Sequence, residues 1–123
     1  MSRYPGLTLR VLGPGRPAIG PGKAALIAHI GRTGSISAAA RAMGMSYRRA
    51  WQLVEALNAS FNEPVVMTAI GGRRGGGASV TAFGKHLVAS YHAMEEKASA
   101  AIAADLRRFS RSLHKPVKRS DPG

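Results

Sequence analysis

The sequence has 123 residues, about one domain, with 18 Lys and Arg against 6 Asp and Glu and a formal charge of +12; at 45 % hydrophobic residues it is too apolar for wholesale disorder, and 21 alanines predict a thin core of close-packed helices. There is no Cys, which excludes disulfides, thiolate metal sites, cysteine nucleophiles and a stapled secreted scaffold. No run approaches the roughly 18 apolar residues of a membrane span and Met1–Gly6 has no signal-peptide core, so a cytoplasmic protein is expected, one whose charge seeks polyanions, nucleic acid first and anionic membrane second.

Leu7 to Leu12 alternates apolar and polar residues at period 2, the pattern of a half-buried strand. Gly13-Pro-Gly-Arg16 is turn chemistry, and Pro17–Ile19 can return as a second strand. Pro21 suits the first position of a helix that runs to about Arg32 and buries Leu26, Ile27 and Ile30. Gly34 ends it. Ser35-Ile-Ser37 can cap a second helix through about Met43, which Ala38, Ala39, Ala40 and Ala42 make narrow. Gly44-Met45 is a turn, and Ser46 caps a third helix, about Tyr47 to Ala59. Pro64–Ile70 is extended and apolar, Gly71–Gly77 is a loop, and Ser79–Thr81 is a short return strand whose Thr81 can cap the next helix.

That last helix is long. Phe83, Leu87, Tyr91, Met94, Ala98, Ile102, Leu106, Phe109 and Leu113 recur at spacings of three and four, a sustained apolar stripe. Thirty such residues would span about 45 Å. The first 80 residues are expected not to cover that stripe, which predicts packing against the same helix of a second chain. Residues 1–81 therefore read as one domain, 82–113 as a dimerisation helix and 114–123 as a disordered basic tail.

Charge is unevenly spread. Residues 1–54 hold eight Lys and Arg and no acid; the acids begin at Glu55. At 100° per residue, Ala50, Leu53, Val54 and Leu57 share the buried side of the third helix. The opposite face holds Arg48, Gln52 and Glu55, with Arg49 and Trp51 on its flanks and Tyr47 in the first turn. Arg and Gln can make paired hydrogen bonds to guanine and adenine edges. Ser46 leaves free N–H groups at the helix start for a phosphate. The second and third helices have the proportions of a helix-turn-helix. The loop Gly71–Gly77 then forms a hairpin tip with Arg73 and Arg74, where glycines allow close approach to a phosphate chain. It lacks the Lys-Ser/Thr ending of a nucleotide-binding loop. The fold expected is mainly α with a small β hairpin: a winged helix-turn-helix with a long C-terminal dimerisation helix.

Ser35-Ile-Ser37 with its alanine run, Met45-Ser-Tyr-Arg-Arg-Ala-Trp51, and Gly71-Gly-Arg-Arg-Gly-Gly-Gly77-Ala-Ser-Val-Thr81 resemble the N-terminal DNA-binding domain of the ModE-type molybdate-responsive transcriptional regulators, over about residues 7–110. The helix-turn-helix alone is shared with LysR-type regulators. The resemblance implies a homodimer on a palindromic operator of double-stranded DNA. Ser46, Tyr47, Arg48, Arg49 and Gln52 would lie on the recognition helix, Ser35 and Ser37 at the start of the preceding helix, and Arg73 and Arg74 in the wing. Dimer contacts are expected from Phe83, Leu87, Tyr91, Met94, Ile102, Leu106 and Phe109. Full-length members continue into small β-barrel domains that bind molybdate or tungstate; a basic tail follows the long helix here, which leaves direct molybdate or tungstate sensing by this chain doubtful. Val65–Thr68 is also more apolar than the usual family pattern.

No nucleophile–base pair or metal spacing is present, so no catalytic residue, metal or cofactor is expected and the chain reads as a regulator rather than an enzyme. His29, His86, His92 and His114 read as surface or packing residues, Glu95-Glu96 as a solvated face and Trp51 as an edge-of-core anchor. The competing expectation is a nonspecific architectural, nucleoid-type or RNA-binding basic protein, which would not prefer a palindromic site over bulk DNA by the factor of about 10³ a regulator needs.

Overall fold

Alanine sets how closely the helices approach. In a computed structural model, which describes residues 6–69 and 77–114, α1 (Pro21–Thr33), α2 (Ile36–Ala42) and α3 (Tyr47–Ser60) pack around Ala39, Ala40 and Ala50, all buried. Leu26, Ile27, Ile30, Val54 and Leu57 fill the space between them. The caps are those the side chains dictate: Ser35 Oγ accepts from the Ala38 N–H at 3.0 Å and Ser46 Oγ from the Arg49 N–H at 3.0 Å. Gly44 sits at φ 69°, a conformation that glycine adopts without Cβ strain. Around it the Gly44 N–H reaches the Arg41 carbonyl and the Met45 N–H the Ala40 carbonyl, a Schellman closure that turns the chain from α2 into α3.

Two antiparallel hairpins flank these helices. β1 (Val11–Gly13) pairs with β2 (Arg16–Ile19) ahead of α1, and β3 (Val66–Ala69) pairs with β4 (Gly77–Val80) after α3. Val66 faces Val80 and Ala69 faces Gly77 in the second hairpin. The Ala78 N–H donates to the Gly34 carbonyl at 2.9 Å, which seats β4 on the junction between α1 and α2. Val65 and Val66 are buried while Met67 points outward, so the apolar run there splits between core and surface. The expected strand Leu7–Leu12 is corrected to Val11–Gly13. Its partner ends where α1 begins, so no ladder exists for Leu7–Arg10. The alternation persists: Leu7, Leu9 and Val11 turn inward and Leu12 is 72 % exposed.

Asn58 joins the end of α3 to the start of β3. Its Oδ1 accepts from the N–H groups of Val65 (2.8 Å) and Val66 (3.1 Å), and its Nδ2 donates to the Val66 carbonyl at 3.0 Å. Asn58→Ala removes the partner of three backbone groups in a partly buried site. We expect a loss of about 2–3 kcal/mol, read as a lower urea midpoint at unchanged slope. An unchanged midpoint would remove this anchoring role.

The long helix is two. α4 spans Ala82–Ala101 and α5 Ala103–Ser110, broken at Ile102 (φ −108°, ψ 12°) with neither Pro nor Gly near the break. The expectation that the apolar stripe finds no cover in its own chain is corrected for its first turns. Phe83, Leu87 and Val88 pack against the core, and Tyr91 lies inside it. The Tyr91 hydroxyl donates to the Leu9 carbonyl at 2.6 Å. Burial first, then the Glu95 carboxylate, push that hydroxyl up to about 12, against an opposing pull from Arg10, so it stays a donor at neutral pH. Leu9 meets Tyr91, Phe61 meets Phe83, and α1 and β4 pack against α4, a cover which the helical period could not reveal. The architecture is mainly α with small hairpins, in winged helix-turn-helix order.

Candidate nucleic-acid interface

The candidate recognition element is α3. Ala50, Val54 and Leu57 turn it into the core, and Leu53 is half-buried beside them. Tyr47, Arg48, Arg49, Gln52 and Glu55 are exposed. Arg48 and Gln52 stand four residues apart on one outward face, with no core contact to constrain them. Tyr47 is 53 % exposed and meets Trp51 edge to face at 6.3 Å. Trp51 itself packs against the core and so braces Tyr47 rather than offering a free ring.

Ser46 and Ser35 are both engaged as caps, holding the first turns of α3 and α2. Ser37 is exposed on α2. The wing strands stand as described, but Arg73 and Arg74 lie outside the described residues, as does most of the basic tail. The acids on the exposed surface include Glu55, at the far end of the Arg48–Gln52 face.

The seven residues expected to dimerise separate into two groups. Phe83, Leu87 and Tyr91 are engaged within the chain. Met94 is 43 % and Phe109 64 % exposed, while Ile102 and Leu106 are half-buried. Two ion pairs within these helices are local, His92 with Glu95 at 2.8 Å and Arg108 with Asp105. Among the described residues no three His, Asp or Glu are grouped to hold a metal, and no helix is long and apolar enough to cross a membrane. Asn58 is a residue that sequence reasoning missed; an Asn in the last turn of a helix carries no signal of which backbone it will meet.

Comparison with known proteins gives this geometry a family. The model for bacterial regulatory helix-turn-helix proteins of the lysR family matches residues 23–85, from the start of α1 into α4. The chain is 49 % identical over 96 residues to the molybdenum-pterin-binding protein MopB of Rhodobacter capsulatus, covering 78 % of this chain and 34 % of that protein. It is 34 % identical over 100 residues to the molybdenum transport protein ModE of Azotobacter vinelandii, covering 72 % and 37 %. It is 38 % identical over 71 residues to the DNA-binding transcriptional dual regulator ModE of Escherichia coli, covering 58 % and 27 %. The chain thus spans about a third of the length of these relatives.

Proposed function

Since the chain belongs to the lysR family of bacterial regulatory helix-turn-helix proteins and carries a ModE-type helix-turn-helix, the fold of a DNA-binding transcriptional regulator, we propose that it binds a palindromic DNA operator as a homodimer. The observation that carries this reading is α3: a Ser46-capped helix, held from behind by Ala50, Val54 and Leu57, that presents Arg48 and Gln52 to solvent. Arg48 and Gln52 read base edges in the major groove. Tyr47 and Arg49 touch phosphates at its rim, with Ser35 and Ser37 of α2 toward the neighbouring backbone. Arg73 and Arg74 take the wing to the backbone or minor groove. The outer part of the stripe, from Met94 to Phe109, pairs two copies, and the apolar exposure of Phe109 supports that role. The molybdenum in the names of its relatives makes molybdenum uptake or use the proposed subject of regulation.

Selection of bound sites from random DNA tests the reading. The selected sites should contain two inverted half-sites, one helical turn or a multiple apart. Arg48→Ala should cost about 1–3 kcal/mol on such a site and relax base choice at one position in each half. Arg49→Ala should weaken all sequences evenly. Equal loss on selected and random DNA for Arg48→Ala would replace base reading by architectural binding.

A further inference from the structure

Beside α3 lies an open groove of about 450 Å³ that the helix-turn-helix does not itself explain. Three cations from three different elements line it: Arg10 from the segment before β1, Lys23 from the first turn of α1, and Arg49 from the first turn of α3. None of its lining residues is acidic. Three separate features hold Arg10 and Lys23 there. The Tyr91 hydroxyl grips the Leu9 carbonyl and thereby fixes the segment that carries Arg10. Arg10 lies so close over Gly20 that a Cβ at that position would stand 3.1 Å from its Nε. Lys23 Nζ donates to the Pro17 carbonyl at 3.1 Å, tying β2 to α1. A groove whose charged lining is wholly cationic attracts an anion. Arg49 already stands at the rim of the proposed recognition surface, so an anion in this groove would be continuous with the DNA bound there.

We propose that this groove is a phosphate clamp for duplex DNA, in which Arg10 and Lys23 join Arg49 on the backbone strand flanking the recognition helix. It rests on the reading of α3 as a DNA-binding helix, and adds the N-terminal hairpin to the interface. The clamp fixes the angle at which α3 enters the groove and carries no base preference of its own. Tyr91 is its positioning residue, linking the clamp to α4.

The test is a salt titration of binding by the full chain, on a random duplex of about 30 base pairs, long enough for two half-sites, and on a selected site. Arg10→Ala with Lys23→Gln should make the slope of log K against log salt shallower by about 0.9 for each protomer on the DNA, one phosphate each. The loss should be equal on both duplexes. Arg10→Lys with Lys23→Arg should keep the parent slope. A parent slope retained by the neutral double variant overturns the clamp while leaving the α3 reading intact, as does a loss confined to the selected site. A parent that binds neither duplex overturns the α3 reading and the clamp with it. If the double variant fails to melt cooperatively, Arg10→Gln alone, a change at one exposed side chain, must show the shallower slope or the clamp falls.

Discussion

Affinity for duplex DNA is expected to fall about 10³- to 10⁴-fold as monovalent salt rises from about 50 to about 200 mM. The net charge of +12 and the absence of any acid before Glu55 concentrate net positive charge on the part of the chain that holds α2 and the start of α3. If two protomers together neutralise about six to eight phosphates, counterion release predicts a slope of about −5 to −7 in log K against log salt. Fluorescence anisotropy of a labelled duplex reads it directly. A slope near −1 would mean that the basic surface does not meet the backbone. Replacing Arg73 and Arg74 together should make the slope shallower and leave site preference intact, because backbone contacts position without specifying.

Gly84→Ala should destabilise the fold by about 2–4 kcal/mol, even though Ala is the better helix former by about 1 kcal/mol. Gly84 is in the first turn of α4, where its N–H donates to Thr81 Oγ1 at 2.8 Å. A Cβ there would stand 2.5 Å from the Val65 carbonyl oxygen and 2.8 Å from Val80 Cγ1. The Val65 carbonyl cannot retreat cheaply, because it accepts the Thr81 N–H at 3.0 Å, and the Thr81 hydroxyl holds the neighbouring Pro64 carbonyl at 2.7 Å. The glycine therefore lets α4 start directly on the wing. Gly22→Ala is the control: nothing lies within 4 Å of its Cβ position, so helix propensity alone acts and stability should hold or rise. Equal urea midpoints for Gly84→Ala and the parent would refute the close approach.

The elements read from the sequence are those set by interactions a few residues long. Ser35, Ser46 and Thr81 cap their own helices, Gly34 and Gly44 take up the positive φ that ends the preceding ones, and the 3.6-residue period places Ala50, Val54 and Leu57 inward and Arg48 and Gln52 outward. A cap, a turn and a helical face are each complete within about one turn of chain, so their residues declare them. The solvent-facing surface of α3 was legible for that reason. The stripe after Phe83 was legible only as apolar; which of its residues meet the same chain was not. Tyr91 finds Leu9 82 positions away, Asn58 finds β3 across a loop, and Gly84 makes room for a carbonyl whose approach depends on where the wing hairpin sits. The groove of Arg10, Lys23 and Arg49 is likewise assembled from three elements that carry no common motif. Only tertiary structure decided these, because each energy depends on the distance between groups that the chain joins through dozens of rotatable bonds, and local pattern holds no record of that distance.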